Sequence, residues 1–188
     1  MPKEDLAKRV EDRAASEAKK DSIEDDEAVQ LVFAVAAGTK LALHIHETAE
    51  LVCTRELDFT QLPRLAPPFA GIVRRRGRLI PVVDAGLLIS NSPSDKGMQS
   101  RLIICRCCKG EAALIVDEVS NVTKVGWNSF REVAAQGEKR RDDFIAYIVE
   151  LQGAERQEKE SEYLLIDFQR LWEHLRSLVP AREAQKWQ

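Results

Sequence analysis

Gly71-Ile72-Val73-Arg74-Arg75-Arg76-Gly77-Arg78-Leu79-Ile80-Pro81-Val82-Val83-Asp84 is the stretch that decides the fold. It reads as two apolar strands joined at a glycine, with arginines crowded around the turn. An apolar strand carries such a charge cluster only where that end of the hairpin reaches water or a partner. The stretch is therefore both a fold clue and a candidate contact site.

The same patterning extends outward in both directions. From Val29, Leu31, Phe33 and Val35 alternate with smaller residues, Gly38-Thr39 turns the chain, and Leu41, Leu43 and Ile45 alternate with Ala42, His44 and His46. This period-2 pattern predicts a hairpin. Further strands are predicted at 50–54, 70–75, 78–83, 102–108, 112–116, 119–125, 144–151 and 163–166, with a turn at Lys109-Gly110 and polar loops at 90–100, 136–143 and 152–162. Many short strands with frequent turns indicate a barrel or sandwich. One helix is well signalled: Phe168, Leu171, Trp172, Leu175 and Leu178 follow helical spacing, Asp167 can cap its start and Pro180 stops it. It is expected to lie across the β-structure and cover apolar surface.

An internal echo runs through these strands. Ala42–Glu47 leads into Ala49–Val52, and Ala113–Glu118 leads into Val119–Val122; each is an apolar strand, an acidic corner and a second apolar strand. Later in each half a strand ends in aspartate, at Asp84 and at Asp167, followed by a leucine-rich segment. This predicts two similar small β-subdomains.

Composition narrows the function. The 188 residues suffice for one domain or two small ones, and the net charge of −3 gives no global basic field for nucleic acid. No apolar run approaches the roughly 20 residues that cross a bilayer, and the charged N-terminus lacks a signal-peptide core, so a cytoplasmic location is the expectation. Residues 1–28 are dominated by charge, with a thin stripe of Leu6, Val10, Ala14 and Ala18; they read as a disordered or partly helical tail.

Two clusters invite chemistry. His44 and His46 would share one strand face, but no third metal ligand is identifiable, and the simpler reading turns both histidines outward. Cys105 and Cys107 share a face with Ile103, which suits core filling; a reactive thiol needs a basic neighbour, and Arg106 points the other way. No phosphate loop or nucleophile elbow is present. No catalytic residue, metal or cofactor is expected. The arginines at 74, 75, 76 and 78 lack the stacking aromatics of a nucleic-acid site and suit a protein partner instead.

Leu62-Pro63, Pro67-Pro68-Phe69, Gly71, Arg76-Gly77 and Ile80-Pro81-Val82-Val83-Asp84, in register, resemble the CheW family, adaptors that couple chemoreceptors to a chemotaxis histidine kinase. Leu114–Val122 resembles the family's second recognisable stretch, and Leu164-Leu165-Ile166-Asp167 with its helix fits the family's end. The resemblance implies a mainly β fold of two five-stranded SH3-like barrels, here over 29–179: first barrel roughly 29–90, second roughly 100–165, closing helix 168–178, then a tail at 180–188. It implies binding to a chemoreceptor cytoplasmic tip beside the hairpin and to the regulatory domain of a CheA-type histidine kinase, through a surface guessed near 110–125. The family's arginine maps to Arg76 and its partner glutamate to Glu50, with Thr48, Leu51, Ile72 and Val73 lining or supporting the receptor contact. The hallmark Asn-Leu is replaced by Arg74-Arg75, and the Leu-Arg expected after the aspartate by Ala85-Gly86, so partner specificity is expected to centre on Arg74 and Arg75. The reading that follows is a stand-alone, non-catalytic adaptor. Its alternatives are a CheW-like scaffold with altered partners, as in a pili-type chemosensory system, and a thiol- or metal-dependent enzyme.

Overall fold

Alternating apolar residues become extended chain nearly throughout. The computed structural model describes residues 28–54, 59–61, 67–133, 143–151 and 161–179. Within them the order is β1 (Ala28–Ala36), β2 (Thr39–His44), β3 (Thr48–Cys53), β4 (Phe59–Thr60), β5 (Phe69–Arg75), β6 (Arg78–Asp84), helix α1 (Ala85–Ser90), β7 (Arg101–Cys107), β8 (Gly110–Val116), β9 (Glu118–Gly126), β10 (Phe130–Glu132), β11 (Ile145–Leu151), β12 (Ser161–Ile166) and helix α2 (Phe168–Leu178). Single 3-10 turns, Ile45–Glu47 and Trp127–Ser129, follow β2 and β9. The expected tails, at 1–28 and 180–188, lie outside the described residues apart from Ala28, which opens β1.

The strands form two six-stranded sheets, ordered β10-β11-β12-β2-β1-β9 and β4-β5-β6-β8-β7-β3. All pairings are antiparallel except β12–β2 and β6–β8. Set side by side, the two orders superimpose position for position: β12 stands where β6 stands, β2 where β8 does, β9 where β3 does. The echo read at 42–52 and 113–122 is thus β2–β3 repeated as β8–β9. The repeat is also exchanged, because each half of the chain gives its first hairpin to one sheet and its remaining strands to the other. Boundaries drawn along the sequence near residue 90 divide chain halves; the sheets cut across them.

Each sheet curls around its own apolar interior. Val52, Val73, Ile80, Val82, Leu102, Ile104, Ala113 and Ile115, drawn from β3, β5, β6, β7 and β8, enclose one. Leu31, Phe33, Ala42, Val125, Val149 and Leu165 enclose the other, where Tyr163 meets Phe33 edge-on at 4.6 Å. The opposite strand faces, including Leu41, Leu43, Ile103, Cys105, Leu114 and Ile166, form the central core between the sheets. Each such side chain, fully buried, contributes about 1.5–3 kcal/mol.

Helix α2 completes that core. Asp167 caps it through the Arg170 N–H (3.0 Å), and Phe168, Leu171, Trp172 and Leu175 are all buried. It sits on the β7–β8 turn. The Cβ that Gly110 lacks would collide with the Trp172 ring, Lys109 pairs with Glu173, and Cys108 Sγ lies 3.9 Å from Gln169 Oε1.

The earlier aspartate plays the matching part. Asp84 Oδ1 accepts the Leu87 N–H (3.1 Å) that starts α1 and also the Ser94 N–H (3.0 Å), and Ser94 Oγ in turn donates to the Ile115 carbonyl (3.2 Å). A six-residue helix carries too little periodicity to be read in the sequence; its signal is the cap. Ala85 and Gly86, the departure expected to bear on partner choice, are buried. A Cβ on Gly86 would lie 2.5 Å from the Ser92 carbonyl and 2.8 Å from Ala37 Cβ, so close packing requires the glycine here.

The histidine strand needs correction. β2 ends at His44, and Ile45 and His46 lie in the 3-10 turn, so the expected alternation stops there. The two rings are 5.0 Å apart, but His44 is half-buried, with Nδ1 buried and without a hydrogen bond among the described residues. Burial, aided by His46 and opposed by Asp167, pulls the His44 pKa below its usual value.

Candidate functional site: the arginine hairpin and its glutamates

β5 and β6 are joined by Arg76-Gly77, with φ of 49° and 81°. Two consecutive positive φ values are what the tightest hairpin turn demands; glycine adopts them freely, whereas arginine does so against its preference. The strands close on the cross-strand pair Arg75 and Arg78. Like charges placed directly opposite repel, and here a separate glutamate relieves each one.

Glu50 of β3 serves the first. Its Oε1 accepts from Arg75 Nε (3.2 Å) and from the Arg75 guanidinium nitrogen Nη2, while its Oε2 lies 3.5 Å from Arg76. These hydrogen bonds and charges hold the Glu50 carboxyl below the ordinary carboxylate range. The bridge also joins β3 at one border of the sheet to β5 near the other, and so helps hold the curled sheet closed. Glu111 of β8 serves the second. It pairs with Arg78 (2.7 Å) and with Arg106, its own cross-strand neighbour in β7. Nothing in the hairpin's own sequence points to Glu111; its signal is the register of β7 with β8.

The expected site residues divide around this cluster. Glu50, Arg75 and Arg76 come together, with Arg75 taking the closer hold on the carboxylate expected for Arg76. Thr48 is half-buried and donates Oγ1 to the His44 carbonyl (3.2 Å), which fixes the turn into β3. Val73 is buried in the sheet interior, and Ile72, on the other face of β5, is half-buried opposite Pro81. Leu51 points away from Glu50 and is exposed. Arg74 is exposed on the same face as its cross-strand partner Leu79, which is 68% exposed.

Among the described residues no group of three or more His, Cys, Asp or Glu is placed to hold a metal ion. Burial pushes the Cys105 thiol far up, aided by Glu47 and Cys107, so it stays protonated and serves the core. No described helix is long and apolar enough to cross a membrane.

The family model for the CheW-like domain matches residues 30–176. The chain belongs to the CheW-like domain family. A solved scaffolding protein of this family type, TtCheW from Thermoanaerobacter tengcongensis, aligns with a TM-score of 0.61 at 24% identity, over 74% of this chain and 89% of that one, a likeness of fold. Comparison with curated proteins gives no match. The CheW-like match takes in both sheets, the arginine hairpin and nearly all of α2, stopping short of the acidic residues before β1.

Proposed function

We propose that this CheW-like protein is a non-catalytic adaptor that couples the cytoplasmic tip of chemoreceptors to the regulatory domain of a CheA-type histidine kinase in a chemosensory array. The observation that carries the reading is the Glu50–Arg75–Arg76 cluster, which ties the hairpin tip to β3, within a chain matched to the CheW-like domain. A guanidinium pre-positioned by a carboxylate loses little entropy on meeting a partner. In this reading Arg76 and Glu50 are central to the receptor contact, Leu51 and Ile72 border it, and Thr48 and Val73 support it from beneath. Arg74 and Arg75 set partner choice, and the 110–125 region faces the kinase. The protein works in the cytoplasm.

Arg75 supports one variant of this reading. Its competition with Arg76 for Glu50 favours the alternative of a CheW-like scaffold with altered partners, as in a pili-type chemosensory system. Catalysis by a thiol or metal has no comparable support.

The test is copurification from the native cell with wild-type protein and with Arg76→Glu. Wild type should bring down a receptor and a CheA-like kinase, and the variant should lose the receptor while keeping the kinase. Normal receptor recovery with the variant removes the hairpin from the receptor contact; recovery of neither partner by wild type removes the coupling role.

A further inference from the structure

Three of the four cysteines fall together at the end of β7, as Cys105, Cys107 and Cys108. Their settings differ. Cys105 is buried in the central core. Cys107, the last residue of β7, is half-buried against that same core, and Cys108 is exposed in the two-residue turn that leads to β8. The fourth, Cys53, pairs across strands with Arg101 at the far end of β7.

The turn is seated on α2 along its whole length. Cys107 packs on the core that holds Phe168, Leu171 and Trp172, Cys108 Sγ lies 3.9 Å from Gln169 Oε1, Lys109 pairs with Glu173, and a Cβ on Gly110 would strike the Trp172 ring. Adjacent residues of a continuing strand would send their side chains to opposite faces. The turn at Cys108 ends that alternation, and both thiols lie toward the helix. Lys109, whose charge is close enough to interact with both sulfurs, supplies the basic neighbour that Arg106, held by Glu111, does not.

We propose that Cys107 and Cys108 form a reversible oxidation site for low-molecular-weight disulfides, and that closing their bridge shifts the turn against α2. Cys108 attacks first, as its thiolate, because it is the exposed member. It bonds to one sulfur of R–S–S–R, the small molecule's S–S bond breaks, and one thiolate leaves. Cys107 then loses its proton and attacks the Cys108 sulfur, which displaces the second thiolate and closes the Cys107–Cys108 bridge. The protein pair gives up two electrons and two protons, and the small disulfide takes them up as two thiols. Adjacent Cα atoms stand about 3.8 Å apart, closer than the roughly 4.4 Å at which ordinary disulfides begin, so the bridge must bend the turn that carries the α2 contacts. A strained and accessible bridge is also one that cellular thiols reopen. The inference goes beyond the adaptor reading and does not rest on it.

The experiment needs no receptor or kinase, so its failure is separate from failure of the adaptor role. Full-length reduced protein is treated with oxidised glutathione in the native state, remaining thiols are alkylated, and the products are mapped by mass spectrometry. Wild type should lose the Cys107 and Cys108 thiols together to an internal bridge, while Cys105 stays a thiol. Cys107→Ser should instead keep one glutathione on Cys108, because nothing displaces it, and Cys108→Ser should leave Cys107 a thiol. In 15N-labelled wild type the amide resonances of Gln169, Trp172 and Glu173 should move by more than a line width on oxidation and return with dithiothreitol. A lasting glutathione adduct on wild-type Cys108, a bridge to Cys105 or between two copies, or no reaction overturns the site. A bridge that leaves the α2 resonances in place overturns its link to the helix.

Discussion

Arg76 holds a backbone conformation that its side chain disfavours, at φ 49°. Asparagine tolerates that conformation better, so Arg76→Asn is expected to raise stability by about 0.5–1 kcal/mol in denaturant melts while weakening the receptor contact proposed for the hairpin. A variant that gains stability without losing binding would show that the arginine is not retained for contact. Ionisable groups in the turn after β2 give a second prediction. The His44 pKa is lowered in the fold, so its contribution to stability is present above the unfolded value of 6.5 and is lost as pH falls through the lower folded value. Glu47 works in the opposite sense. Burial raises its pKa, against the opposing hydrogen bond from the Phe168 N–H, so its contribution is present below the unfolded value of 4.5 and is lost as pH rises through the folded value. His44→Leu should remove the histidine part of the pH dependence of the melting temperature below about pH 7, leaving the Glu47 part, which runs in the opposite sense. The thiols differ just as sharply: Cys108, exposed, should react with an aromatic disulfide in the native state, whereas Cys105, buried and held protonated, should react only on unfolding.

At the scale of elements, two short-range signals carry much of the architecture. Asp84 and Asp167 each end a strand, cap a helix and stand where their sheet makes its one parallel pairing. Asp84→Ala would strip both the α1 cap and the partner of the buried Ser94 N–H, and should destabilise the fold by about 2–4 kcal/mol in chemical denaturation. The helix at 168–178 was legible because burial of one face imposes a strict period on the sequence, and the strand at 78–83 because burial of both faces from Ile80 onward writes a continuous apolar run. Other elements were not. β4 has two residues, β10 has three and α1 has six, too few for a period to emerge. Pairing order was also hidden. No local feature of β2 says that its neighbour is β12, or that β3 leaves for the other sheet, because that choice depends on burial between residues far apart in the chain. The candidate site divides the same way. Glu50 with the hairpin arginines was reached through family resemblance, whereas Glu111 and Leu79 became visible only once cross-strand partners were known.

At the scale of the molecule, the two sheets share one central core, to which Leu114, Ile103, Leu43 and the buried face of α2 all contribute. Leu114→Ala should therefore cost about 2–5 kcal/mol and lower the stability of both sheets together. Tryptophan fluorescence and far-UV circular dichroism should report one coincident transition; separate transitions would mean that the sheets are independent units.

The exchange of first hairpins also bears on how the protein is made. When a ribosome has released the first ninety residues, β1 and β2 still lack β9 and β12, while β3 and β6 still lack β7 and β8. Neither sheet can close until the second half arrives, so the nascent chain emerges with apolar strand edges that have no permanent neighbour. Long-range pairing of this kind is slow and exposes the chain to aggregation. It also means that a protein severed in the loop between Ser90 and Arg101 should yield two pieces that are each insoluble alone and that reassemble only when produced together.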